Sequence, residues 1–196
     1  RQTRQRGFGF RMQQLRFYVV ILLAHPNIKE SQANKALVDA VSDMEGVAVF
    51  NLYELSQEIA FNVDEWSKII SDASAVIYQF PFYWMSAPSL LKKWQDEVFT
   101  FLSKTPAVAG KSLTVVTTTG SEYEAYRSGG RNRFTMDELL RPYQVSAIHS
   151  GMSWQTPIVV YGMGTADAGK NIAEGANLYK QRVEMLIGNS NAGNNW

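Results

Sequence analysis

Five short apolar runs, each followed by a helix-periodic segment, set the plan of the chain. Phe17-Tyr18-Val19-Val20-Ile21-Leu22-Leu23-Ala24 is rich in β-branched and aromatic residues and lacks polar alternation. That is the pattern of a strand covered on both faces, as in a parallel sheet. His25-Pro26-Asn27 breaks it. Ser31 then caps a helix with Asn34 in its first turn; Leu37, Val41 and Met44 recur at helical spacing, and Gly46 ends it. Residues 47–52 are a second strand, 53–63 read as a long loop, and Asp64 caps a helix through Ala73. The third strand, Ala75-Val76-Ile77-Tyr78-Gln79-Phe80, runs into an aromatic loop between Pro81 and Pro88. The helix after it has Leu91, Trp94, Val98 and Leu102 as its buried stripe. Residues 113–117 are a fourth strand, opening into a long Gly-, Ser- and Tyr-containing loop over 118–130. Residues 136–140 and 142–149 read as helical. The fifth strand lies within 154–161, centred on Ile158-Val159-Val160, and Tyr179, Val183, Leu186 and Ile187 mark a closing helix.

This alternation predicts an α/β protein with three α/β/α layers around one five-stranded parallel sheet. Right-handed crossovers favour a doubly wound order, 2-1-3-4-5. Its ligand crevice lies at the switch point, outside the carboxyl ends of strands one and three. One domain is expected over 15–188, preceded by a basic arm (1–14) and followed by a polar tail (189–196).

Composition narrows the chemistry. The 196 residues include no cysteine and two histidines. Disulfides, Fe–S clusters and thiolate zinc sites are excluded, and no metal site is expected. The net charge is +1, but Arg1, Arg4, Arg6 and Arg11 precede any acid, so the domain itself is mildly acidic. That is not a nucleic-acid footprint. The basic head reads as an added or mis-set start upstream of an initiator at Met12, or as a disordered arm. Neither a secretory signal nor a membrane-spanning run is visible in these residues.

No GxGxxG or GxxxxGK[ST] follows the first strand, which disfavours a Rossmann dinucleotide site and excludes a P-loop. That loop instead offers His25, Ser31 and Asn34 around a helix N-terminus, where backbone N–H groups and the dipole hold a phosphate without glycines. The same residues also read as plain caps. The loop after strand three carries Phe82, Tyr83 and Trp84 where ligands sit, and such aromatics suit a flat heterocycle such as a flavin. An aromatic core or dimer-interface cluster is the competing account; Trp94 is assigned to the core. The loop after strand four brings Thr117, Thr118, Thr119 and Gly120 toward the pyrimidine end of that ring, and Tyr123 or Tyr126 a phenol near it. Arg127 and Arg131 are either solvated or meet a nicotinamide phosphate. His149 reads as a packed histidine, and no Ser-His-Asp arrangement can be assigned.

Ala24-His25-Pro26 with Ser31-Gln32-Ala33-Asn34-Lys35-Ala36-Leu37, then Gln79-Phe80-Pro81-Phe82-Tyr83-Trp84, Pro88 and Leu90-Leu91-Lys92-Lys93-Trp94, resemble the flavodoxin-like NAD(P)H:quinone oxidoreductases. Arg141-Pro142-Tyr143 and Gly151-Met152-Ser153-Trp154 resemble the bacterial branch that includes ancillary proteins of glutathione-gated potassium-efflux systems. The resemblance implies a homodimer, with FMN as cofactor and FAD as the alternative. It implies hydride transfer from NADPH or NADH to a quinone by a ping-pong route. It places His25, Ser31, Gln32, Ala33 and Asn34 on the flavin phosphate, Pro81, Phe82, Tyr83, Trp84 and Met85 under the ring, and Thr117, Thr118, Thr119 and Gly120 at its pyrimidine end. Tyr126 is the catalytic candidate. The segment Ser128-Gly129-Gly130-Arg131 lacks the histidine found in some relatives. The other functional reading is a regulatory partner of a potassium-efflux transporter, cytoplasmic but docked at the inner face of the membrane. An electron-shuttling flavodoxin is disfavoured by the nearly balanced charge. In the reductase reading, Phe61 joins Phe82, Trp84 and Tyr126 in a hydrophobic slot.

Overall fold

The structure, a computed structural model, describes residues 18–55 and 60–192. The segment 1–14 and the end of the tail lie outside them. Strands β1 (Val19–Leu23), β2 (Val47–Asn51), β3 (Ala75–Pro81), β4 (Ser112–Thr118), β5 (Ser153–Trp154) and β6 (Ile158–Val160) form one parallel sheet. Its order is β2-β1-β3-β4, and β5 and β6 both pair with the outer edge of β4. The expected doubly wound order is therefore present, with its fifth strand in two pieces. Pro157 lies between them; it has no N–H to give the ladder, so pairing lapses around it.

The period-2 alternation of the strands sorts the core into two layers. Val19, Ile21, Ala75, Ile77 and Val116 face α1 (Gln32–Asp39) and α8 (Ala168–Ala192), packing on Leu37, Tyr179, Val183 and Leu186. Val20, Leu22, Val76, Tyr78, Phe80, Leu113 and Val115 face the other way. They pack against α3 (Val63–Asp72), α4 (Ser89–Trp94) and α7 (Arg141–His149). Both faces of β1 are covered, and all five of its side chains are buried. Each contributes about 1.5–3 kcal/mol of apolar burial.

Several local boundaries differ from the pattern reading. Regular helix α1 stops at Asp39, and turn hydrogen bonds carry the chain on to Met44. Gly46 then has φ +83°, and a Cβ there would lie 2.5 Å from the Tyr18 ring. The supposed loop after β2 begins with a helical turn, α2 (Leu52–Leu55), which buries Leu52. The cap of α3 is Asn62, not Asp64: the Asn62 side chain accepts from the N–H groups of Asp64 and Glu65 at 3.0 and 3.2 Å. Asp64 sits in the first turn, where its charge favours the helix through the dipole. The helix that begins as α4 passes through a π turn, Gln95–Phe99, before α5 (Thr100–Leu102). The expected stripe Leu91, Trp94, Val98 and Leu102 is fully buried. A short α6 (Met136–Leu139) precedes α7. Residues expected as the start of the polar tail continue α8 instead.

No helix among the described residues is long and apolar enough to cross a membrane.

Candidate functional site

The carboxyl ends of β1, β3, β4 and β6 converge on one rim, and backbone hydrogen bonds lace their loops together. The Ala24 N–H donates to the Gln79 carbonyl, the Phe82 N–H to Thr118 and the Thr119 N–H to Val160, each at 2.9 Å. Between the loops lies a cleft of about 400 Å³. That is within the roughly 300–1,000 Å³ of small-molecule sites.

The first wall is the start of α1. The Ser31 hydroxyl oxygen accepts from the Asn34 N–H at 3.0 Å and caps the helix. The Gln32 and Ala33 N–H groups open the first turn and have no carbonyl within the helix to meet. Asn34 is buried; its amide donates to the Thr118 hydroxyl at 3.0 Å, and its carbonyl accepts from the Gln79 side chain at 2.8 Å. The Asn34 side-chain oxygen has no partner among the described residues. His25 accepts the Asn27 N–H on Nδ1 at 3.1 Å, which leaves the proton on Nε2. Partial burial lowers its pKa, so the neutral ring is favoured. Protonating it in the fold is therefore disfavoured, so its contribution lowers stability as pH falls through and below the ordinary histidine range.

The second wall is the aromatic loop. Pro81 and Phe82 line the cleft with Tyr83. Tyr83 and Ser86 then exchange backbone hydrogen bonds of 2.8 and 3.0 Å around Trp84 and Met85. Those two residues have φ of 47° and 62°. The backbone amides of Trp84, Met85 and Gly120 make no hydrogen bond among the described residues. The Tyr143 hydroxyl holds the turn from behind, accepting the Ala87 N–H at 3.1 Å.

Thr118, Thr119 and Gly120 form the third wall. Met163, Ala168 and Ile172 complete the lining from the segment after β6. Sequence reasoning missed these three. The available signal was Gly162-Met163-Gly164 directly after a strand's carboxyl end.

Eleven of the expected residues thus meet in one cleft: His25, Ser31, Gln32, Ala33, Asn34, Pro81, Phe82, Tyr83, Thr118, Thr119 and Gly120. Four others are elsewhere. The Trp84 side chain is 96% exposed and Met85 is 47% exposed, both pointing off the turn. Thr117 is buried under the strand end and donates to the Phe80 carbonyl at 2.7 Å. Tyr126 is buried edge-on against Phe82, with ring centres 6.2 Å apart, and lines a neighbouring cavity. Phe61 is core, packed on Trp66. Arg131 bonds the Ser121 hydroxyl at 2.6 Å, whereas Arg127 lies over the Tyr123 ring. His149, expected to be packed, is exposed on α7.

Among the described residues, no charged side chain other than the titratable His25 lines the cleft. An anion held there rests on helix N–H groups, hydroxyls and an imidazole. The family described as flavodoxin-like fold matches residues 18–183. The chain belongs to that family.

Within the flavodoxin-like fold family, the chain is 35% identical over 171 residues to general stress protein 14 of Bacillus subtilis, covering 85% of this chain and 97% of the relative. It is 35% identical to the B. subtilis NAD(P)H oxidoreductase YdeQ, covering 85% and 86%. Against the glutathione-regulated potassium-efflux system ancillary protein KefG of Serratia proteamaculans, identity is 35%, covering 73% and 80%. Among solved structures, a general stress protein 14 from Treponema denticola in complex with FMN has TM-score 0.77 at 29% identity, covering 86% and 99%. A P. pentosaceus NADPH-quinone reductase gives 0.72 at 27%, covering 85% and 97%. A chain described as a thermophilic tryptophan halogenase from Streptomycin violaceusniger gives 0.77 at 35%, covering 84% and 97%.

Proposed function

We propose that this protein is an FMN-dependent NAD(P)H:quinone oxidoreductase that works as a homodimer. The carrying observation is one cleft joining the N-terminus of α1 to Phe82 and Tyr83 of the aromatic loop and to Gly120, whose amide has no partner among the described residues. The relatives named for NAD(P)H oxidoreduction and the FMN-bound neighbour support the choice of cofactor and donor. The residues present fit FMN. The cradle offers hydrogen-bond donors and a helix dipole to a phosphate. The buried, unpartnered Asn34 oxygen offers an acceptor to a ribityl hydroxyl.

In this reading the Gln32 and Ala33 N–H groups, the Ser31 hydroxyl and His25 Nε2–H bind the phosphate. Phe82 and Tyr83 flank the ring. The Trp84 and Met85 amides meet one edge of it, and the Gly120 amide with Thr119 the pyrimidine end. Bound FMN supplies the two-electron redox chemistry; the protein tunes and shields it. Tyr126 buttresses Phe82, so we assign it to positioning that ring rather than to carrying a proton. In this reading the exposed Trp84 and Met85 side chains would fold over a bound nicotinamide or quinone and screen it from water.

The test is direct. Denatured protein should release FMN, and anaerobic NADPH or NADH should bleach the bound flavin, with a soluble quinone restoring its colour. A flavin that stays oxidised under both donors would refute the reading.

The cradle makes a second, opposed expectation. Gln32→Glu puts a carboxylate in the first turn of α1, which stabilises a helix by about 0.3–1 kcal/mol. It also faces the phosphate, at about 1 kcal/mol or more of repulsion near a surface. Thermal unfolding of the FMN-free variant should shift up slightly, while FMN titration shows roughly tenfold weaker binding. Equal affinity would place the phosphate elsewhere.

A second reading is a flavin-binding ancillary subunit of a potassium-efflux transporter, held in the cytoplasm against the membrane. The KefG relatives and the histidine-free segment Ser128-Gly129-Gly130-Arg131 favour it. Potassium efflux with and without the protein separates it from the first.

A further inference from the structure

We infer that the cavity at the β6 edge is a second ligand site, shaped for an aromatic molecule that carries an anionic group. The cavity, of about 630 Å³, lies between the segment 123–137, the segment 156–161 and α8. It shares no lining residue with the flavin-type cleft.

Its lining combines an aromatic wall with two arginines. The Tyr123 and Tyr161 rings meet edge to face at 5.3 Å, and the Tyr126 and Tyr161 rings lie tilted to each other at 5.9 Å. Met136, Ile158 and Leu178 add apolar surface. Two guanidinium groups, Arg127 and Arg182, border the space, against one carboxylate, Asp137. Among the described residues the Arg127 guanidinium contacts only the Tyr123 ring, at 5.3 Å. Arg182 uses one nitrogen on the Thr156 carbonyl at 2.8 Å, and burial lowers its pKa, a sign that its charge is poorly solvated. Burial, with Tyr123, Asp137 and Tyr126 nearby, pushes Tyr161 up to about 12. Its hydroxyl therefore stays protonated at neutral pH, as a donor. A flat ring against the phenols, with a carboxylate, sulfonate or phosphate toward the arginines, matches each of these features.

The walls of the cavity are held by the chain's own hydrogen bonds. Its loop closes on itself: Ala125 N–H donates to Glu122, Gly130 N–H to Arg127 and Asn132 N–H to Ala125, at 2.9–3.1 Å. A Cβ on Gly130 would stand 2.2 Å from the Glu124 carbonyl oxygen, so the close approach needs glycine. The opposite side is tied by the bond from Arg182 to Thr156. Little ordering remains to oppose binding. Tyr126 links the two: it lines this cavity and packs edge-on against Phe82, which lines the cleft. An occupant here rests on the ring that supports the cleft's aromatic platform.

Two sources carry this chemistry, a free aromatic acid and the adenosine 2′-phosphate end of NADPH. Calorimetric titration with 1-naphthoate and with 2′-AMP, on the full chain with and without FMN, tests both and does not depend on reductase activity. The variants are Arg127→Gln and Leu178→Trp, both at exposed positions. At least one probe should bind once per chain with Kd below about 1 mM, whether or not FMN is present. Arg127→Gln should weaken it roughly tenfold, the worth of a charge-assisted hydrogen bond, and Leu178→Trp should block it. If 2′-AMP is the tighter probe and Arg127→Gln raises KM for NADPH but not NADH, the ligand is the dinucleotide end. If naphthoate is tighter and both KM values hold, it is a free acid. The inference is overturned if neither probe binds, if both variants bind unchanged, or if FMN displaces the probe.

Discussion

Replacing Trp84-Met85 by Asn-Gly is expected to yield a more stable protein and a poorer reductase. Both residues sit at positive φ in a two-residue turn closed by Tyr83 and Ser86. That backbone is the type I′ hairpin turn, for which Asn-Gly is the preferred pair. A non-glycine residue in the left-handed region carries of order 1–3 kcal/mol of strain. Gly returns some of that gain through the entropy of the unfolded chain. The Trp84 ring is 96% exposed, so its removal leaves no hole in the core. The net gain should be about 1–2 kcal/mol in urea denaturation. FMN affinity should hold, because the turn's amides remain. In the proposed reaction, kcat/KM should fall by about tenfold or more, as the apolar cover over the donor and acceptor is gone. Unchanged turnover would mean that the two side chains serve something other than this reaction.

The second large effect is structural. Trp94→Ala should remove about 3–5 kcal/mol of stability. The indole is 1% exposed and sits in an aromatic group with Trp66 at 5.4 Å, Tyr78 at 6.1 Å and Phe99 at 6.3 Å. The first two meet it edge to face, a geometry worth about 0.5–1.5 kcal/mol beyond area. The Trp94 Nε1–H has no partner among the described residues. Trp94→Phe therefore keeps much of the ring packing and removes a buried unpaired donor. It should cost less than half as much as alanine in the same denaturation experiment. Equal losses would show that the full indole volume, rather than aromatic contact, holds this layer.

What the sequence made legible follows from which forces act locally. The runs in β1 and β3 are buried on both faces, and continuous apolar character marks that condition unambiguously. The stripe through Trp94 keeps one face across the π turn because its later spacings, Trp94 to Val98 to Leu102, are four residues each, which suits the wider turn. Ser31 was readable as a cap because the helix-periodic residues begin directly after it. Asn62 and Asp64 are different: both can cap, they lie two residues apart, and periodicity does not choose between them. Thr117, Thr118 and Thr119 look alike in a row, yet the strand turns Thr117 under the chain and leaves the next two at the rim. Met163, Ala168 and Ile172 reach the cleft from a segment far along the chain, a closure only the sheet order reveals. The burial of Tyr126 and the exposure of His149 depend on what packs over each, which no local pattern carries.

The break between β5 and β6 has a consequence for how copies of this protein meet. A parallel sheet ends in a strand whose outward N–H and C=O groups invite pairing with another chain. Here the outer strand is two residues, a gap containing Pro157, and three residues. A neighbouring strand could not run a continuous ladder along it. The interruption thus guards this side against edge-to-edge aggregation. The same segment, Thr156 and Pro157, borders the second cavity. Building an unbroken edge strand there would change a wall of that cavity and leave concentrated solutions prone to fibrous self-association.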